Sequence, residues 1–108
     1  MRFHSRVGIL PHEREHPQPI EIDLTVWRVR DGTASADAVL DYRRLYDLTM
    51  LVVASEPGYL EEIGDGISEQ VMHTFGVERV RVAVRKPNVA LPGPLAYAEV
   101  VVERRRDA

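Results

Sequence analysis

The chain has 108 residues, 44% of them hydrophobic, with a formal net charge of −3 and a pI near 5.8. That length makes a single domain, residues 1–108, with a core of its own but a modest buried fraction, so that oligomerisation would be a gain. The absence of Cys excludes disulfide scaffolds and makes the reducing cytoplasm the expected compartment; the acidic balance argues against a nucleic-acid partner; and no apolar run reaches the roughly 18 residues of a membrane span or forms a signal-peptide core.

Residues Met1–Leu10 read as a first strand, closed by the proline-rich stretch "PHEREHPQP". Inside it His12-Glu13-Arg14-Glu15-His16 matches the H-E-x-x-H pattern of zinc peptidases. That chemistry needs both histidines on one face of a helix and a third ligand. Pro11, Pro17 and Pro19 leave no room for the helix, and a residue before proline is pushed toward extended geometry, which spoils His16 as a helical ligand. Only His4 and His73 remain as a third ligand, so no metal site is expected.

From Pro19 to Arg30, Ile20, Ile22, Leu24 and Val26 alternate with polar residues, the period of a half-buried strand. Trp27 and Val29 fall on the opposite parity, which suggests a bulge or a strand edge covered on both faces. The turn residues of "DGTASADAV" predict a loop. Asp41 is placed to cap a helix running to about Ser55, with Leu45, Leu48 and Val52 on one stripe. "SEPG" breaks it, and Leu60, Ile63, Ile67, Val71 and Phe75 recur at helical spacing up to Gly76, a C-terminal cap. Gly64 and Gly66 inside that second helix weaken it intrinsically and would let two helices approach closely.

Val80, Val82 and Val84 alternate with arginines in a strand from Glu78 to Lys86, ended by Pro87. After "NVALPGP" a last strand runs from Ala96 to Arg104. The order strand, strand, helix, helix, strand, strand, with short local connections, predicts an α+β layer pair: one four-stranded antiparallel sheet and two helices on one face. Four short strands leave edges that need covering, a second reason to expect an oligomer.

Of the 14 basic side chains, 13 are Arg and only Lys86 is Lys. An ammonium can give up its proton at a site where a guanidinium cannot, which singles out Lys86 as a candidate base. Glu13, Tyr42, Glu61 and Lys86 all fall at element ends, where sites are commonly built. Each also has a plainer reading: a loop charge, a half-buried aromatic, a helix-dipole partner and a strand-end cation.

Together these segments resemble the dihydroneopterin aldolase family of the tunnelling fold (T-fold). "RFHSRVGILPHEREHPQPIEIDLTV" is similar to the family's first strand, Glu-bearing loop and Gln-led second strand. "ADAVLDYRRLYDL" resembles its Asp…Tyr helix start, "YLEEIGDGI" its Leu-Glu helix start, and "VRVAVRKPNVALPG" its Lys-bearing strand with the Pro-Gly loop. The resemblance implies a ββααββ subunit whose sheet joins others into a barrel, as rings of four that stack into an octamer with sites between subunits. It implies that Glu61, directly after Leu60 in the substrate-binding pair, holds the pterin amino and ring N–H groups. Lys86 would act as base through water, Tyr42 would shuttle a proton, and Glu13 would orient the hydroxylated side chain. No metal or cofactor is implied, because the dihydropterin C=N bond serves as the electron sink. Two departures are visible: Val7 precedes Gly8 where members often carry His, and Gly64 stands where Ala is usual. Epimerisation of the same side chain, or of its triphosphate, and noncatalytic pterin or purine binding are the alternatives the residues leave open.

Overall fold

The computed structural model describes residues 1–6, 17–28, 41–55, 58–87 and 98–106. Within them the chain forms β1 (Arg2–Ser5), β2 (Gln18–Trp27), α1 (Tyr42–Ala54), α2 (Leu60–Phe75), β3 (Arg79–Lys86) and β4 (Ala98–Arg105). The strands make one antiparallel sheet in the order β1-β2-β3-β4. Both helices lie on one face of it, α2 across β3 and β4, α1 alongside α2 and reaching β1. This is the ββααββ T-fold subunit that the resemblance implied.

The period-two pattern does the sorting. Ile20 and Ile22 of β2 and Val80, Val82 and Val84 of β3 point under the helices and are fully buried, meeting Ile63, Ile67 and Val71 of α2. Each such side chain contributes about 1.5–3 kcal/mol over leaving it exposed. Asp41 caps α1 as expected, its carboxylate accepting from the Arg43 N–H at 2.9 Å. That backbone hydrogen bond, above all, holds the Asp41 carboxyl below the usual carboxylate range. Thr49, buried in mid-helix, donates its hydroxyl to the Leu45 carbonyl at 2.7 Å and so adds no unsatisfied group. Gly76 ends α2 with φ 59°, a left-handed geometry that costs an L side chain strain.

Three expectations change. The proposed bulge is absent: pairing runs unbroken from Glu21↔Arg85 to Trp27↔Arg79. Trp27 breaks the apolar parity because it lies on the open face, 37% exposed, where the Arg79 guanidinium sits 4.1 Å over its ring. The two helix glycines also divide their roles: a methyl added to Gly66 would stand 3.0 Å from Val52 of α1, whereas one on Gly64 would meet Val102 of β4. Only Gly66 therefore serves helix–helix approach. Finally, β2 stops at Trp27 and not at Arg30, and β4 is assigned from Ala98 to Arg105; Gly8, Leu10, Val29, Arg30 and Ala96 lie outside the described residues.

Two measurements check this account. Ile67→Ala should cost about 2–5 kcal/mol in urea unfolding, since it opens a cavity in a fully buried part of the core. Because the Asp41 carboxyl is more acidic folded than unfolded, its stabilisation should be present above the unfolded value and lost as pH falls through the folded one; Asp41→Ala should lower the thermal midpoint at pH 7 and converge with the wild type in acid.

Candidate active site

Helix α2 turns into β3 through only Gly76, Val77 and Glu78, so the strand runs back under the helix and its far end returns to the helix start. Lys86 closes β3 on the helix-covered face, in line with Val80, Val82 and Val84, and is only 7% exposed. Leu60 and Glu61 open α2 at that same end; Leu60 is half-buried against the core and Glu61 is exposed. Tyr59, the N-cap, makes no side-chain cap, so the positive end of the α2 dipole faces the Glu61 and Glu62 carboxylates. Gln18, leading β2 opposite Ser5, stands at this end as well, and Ser5 donates to the Val53 carbonyl at 3.1 Å to tie the tail of α1 there.

Tyr42 is elsewhere. α1 runs antiparallel to α2, as the Arg44 guanidinium 5.1 Å over the Phe75 ring records, so the start of α1 lies beside the end of α2. Tyr42 is 80% exposed and borders a cleft with Met1, Leu24, Thr25, Val26 and Leu45. Leu24 and Val26 pair with Val82 and Val80, four to six residues up the strand from Lys86, which is about 13–20 Å. One chain therefore brings Leu60, Glu61 and Lys86 to one end and sets Tyr42 at the other. Glu13, together with His12 and His16, lies outside the described residues.

The cations at the end of β3 are divided between the two faces. Arg85 points to the open face, where its guanidinium meets Glu99 at 2.6 Å, Glu21 at 3.0 Å and Asp23 at 3.4 Å. Glu99 and then Glu21 push its already high pKa further up, so it stays charged. Lys86, the next residue, leaves the strand on the helix-covered face. Among the described residues no three His, Asp or Glu side chains gather as metal ligands.

Met1 exchanges hydrogen bonds of 2.8 Å with Ile22, and among the described residues no strand pairs with Asp23–Trp27 on the side past β1, so that half of β2 is an open edge there. β4 is the opposite edge. Beside the first edge run Tyr42, Tyr46 and Met50, four residues apart on α1 and all exposed, with Tyr46 stacked 5.3 Å from Phe3. Sequence periodicity missed this stripe because it flanks the edge instead of facing the core.

A ββααββ subunit with two helices on one face of a four-stranded antiparallel sheet is a T-fold protein. The dihydroneopterin aldolase family model matches residues 1–103, and the chain belongs to that family. Over 103 residues it is 28% identical to a dihydroneopterin aldolase of Streptomyces coelicolor, covering 92% of this chain and 87% of the relative. It is also 32% identical over 85 residues to a folic acid synthesis protein of Dictyostelium discoideum; that match takes in 75% of this chain but only 13% of the far longer relative. The crystal structure of the E. coli dihydroneopterin aldolase in complex with neopterin superposes with a TM-score of 0.81 at 18% identity, covering 95% and 91% of the two chains.

Replacing Arg85 with Leu would leave Glu21, Asp23 and Glu99 facing one another without their common cation. The urea midpoint should fall, and the loss should shrink at high salt, which screens the repulsion among the three carboxylates.

Proposed function

We propose that the chain cleaves 7,8-dihydroneopterin by a metal-free retro-aldol reaction to 6-hydroxymethyl-7,8-dihydropterin and glycolaldehyde, a step of folate synthesis in the cytoplasm. The observation that supports the proposal is the return of β3 under α2, by which the strand end with buried Lys86 and the helix start with Leu60 and Glu61 share one end of the molecule. A carboxylate there matches the adjacent amino and ring N–H donors of a pterin with two parallel hydrogen bonds. Leu60 packs beside it.

Lys86, through a water, takes the proton of the 2′-hydroxyl. The C1′–C2′ bond breaks, glycolaldehyde leaves, and the electron pair passes into the C=N bond of the dihydropterin, giving an enamine. A proton delivered to C1′ then restores the C=N bond and completes the hydroxymethyl product. Tyr42 is the group for that delivery, and Glu13 orients the hydroxylated side chain. The substrate supplies the electron sink, so residues that position and move protons suffice.

Tyr42 comes from a neighbouring subunit. In a closed barrel whose strands tilt 35–45°, stepping round by four strands about 4.8 Å apart displaces the next subunit by about 13–19 Å along the strands. That matches the separation of Tyr42 from Lys86 in one chain, so a ring of four brings the Tyr42 of one subunit level with the Lys86 of the next. β4 of each subunit covers the open β1–β2 edge of its neighbour, and two such rings form an octamer.

Incubation with 7,8-dihydroneopterin in EDTA should give the hydroxymethyl product. Lys86→Ala should abolish turnover while neopterin still binds, and Glu61→Gln should weaken binding itself. Co-assembling Tyr42→Phe and Lys86→Ala subunits, each inactive alone, should restore about a quarter of the sites in a mixed ring. Binding without any turnover by the wild type would leave a pterin-binding module and sink the aldolase reading.

A further inference from the structure

Gly64 is fully enclosed at a point where α2 crosses the sheet. A methyl group built on it would stand 2.7 Å from Val102 Cγ2 and 3.8 Å from Val84 Cγ2. Ordinary carbon contacts are about 3.5–4.0 Å, so accommodating Ala without moving Val102 would displace the helix by about 1 Å. Val102 has little freedom to yield, being β-branched and paired to Val82 in the ladder. Glycine is a poor helix-interior residue; where the family resemblance implies Ala, this chain sets Val102 so close that a methyl at position 64 has no room.

The two contacts lead straight to the candidate site. Gly64 lies one turn after Glu61 on α2, and Val84 lies two residues before Lys86 on the same face of β3. Farther along, α2 is fastened to β4, where Arg104 Nε donates to Ser68 Oγ at 2.7 Å and its guanidinium lies 3.6 Å from Asp65. On its other side α2 is close to α1, since a methyl added at Gly66 would stand 3.0 Å from Val52. With the helix fastened beyond Gly64, a displacement there passes to the preceding turn, which carries Leu60 and Glu61.

We infer that Gly64 is a positioning residue whose contact with Val102 and Val84 sets the gap between Glu61 and Lys86, and hence the fit of the pterin slot. The inference rests on the pterin reading for its functional meaning, but the gap itself can be measured without ligand. The test compares wild type, G64A, V102A and G64A/V102A by neopterin fluorescence quenching, by the kcat and KM for 7,8-dihydroneopterin, and by crystal structures of the unliganded proteins.

G64A should widen the Glu61–Lys86 Cα separation by about half an ångström or more, weaken neopterin binding and lower kcat/KM by about 10–100-fold, the scale of loss from a misplacement near 1 Å. The double variant, in which the space of the lost Val102 methyls receives the new one, should recover to within about threefold of V102A. Unchanged separation, binding and turnover in G64A, with only a lower unfolding midpoint, would overturn the inference and reduce Gly64 to packing. So would a double variant that stays as impaired as G64A. If G64A does not fold, the double variant's separation and binding decide the matter against V102A. A wild type that neither binds nor cleaves pterin, with the gap still widened in G64A, would instead count against the pterin reading and leave the positioning role standing.

Discussion

The short return from α2 into β3 is the constraint on which the rest depends. Three residues cannot span a crossover, so β3 must run back beneath the helix it follows, and the fully buried Val80, Val82 and Val84 weld the two together along their length. The helix start and the strand end are then neighbours by necessity. Everything proposed for the site uses that adjacency: a carboxylate at a helix amino end, a buried lysine at a strand carboxyl end, and a glycine that lets the two layers close up.

The same antiparallel logic sets Tyr42 at the far end of its own chain from Lys86. α1 and α2 form a hairpin, and whatever opens one is distant from whatever opens the other. Among the described residues both sheet edges are also unfinished: no strand pairs with β2 past the end of β1, and none with the outer side of β4. In the proposed ring, a second copy displaced along the strands would complete both the site and the sheet, and strand tilt would couple function to assembly.

Charge is partitioned by the sheet. The open face gathers Arg85 among Glu21, Asp23 and Glu99, and Arg79 between Trp27 and Glu103, so these two cations are locally matched. The helix face is apolar at its centre, with Lys86 at the end of β3 and Arg104 of β4, bonded to Ser68, toward its rim. Adjacent residues of one strand thus have opposite fates, since successive side chains leave a strand on opposite sides.

Much of this was legible from local pattern. Alternation in β2 and β3, the Asp41 cap, the spacing from Leu60 to Phe75 and the Gly76 terminus all depend on periods of two and 3.6 residues or on single-residue backbone preferences, which a sequence displays directly. Family likeness then named Glu61, Lys86, Tyr42 and Glu13. What local pattern misread was contact at a distance. Trp27 looked like a bulge because its partner Arg79 is 52 positions away in the chain, and Gly64 looked like a helix–helix contact because nothing near it mentions Val102. By itself the sequence determined the elements, their order and the residues fit for chemistry. Only the tertiary structure decided which of those residues share an end of the molecule, because that follows from the direction each element takes over the sheet, and direction is settled by non-local packing.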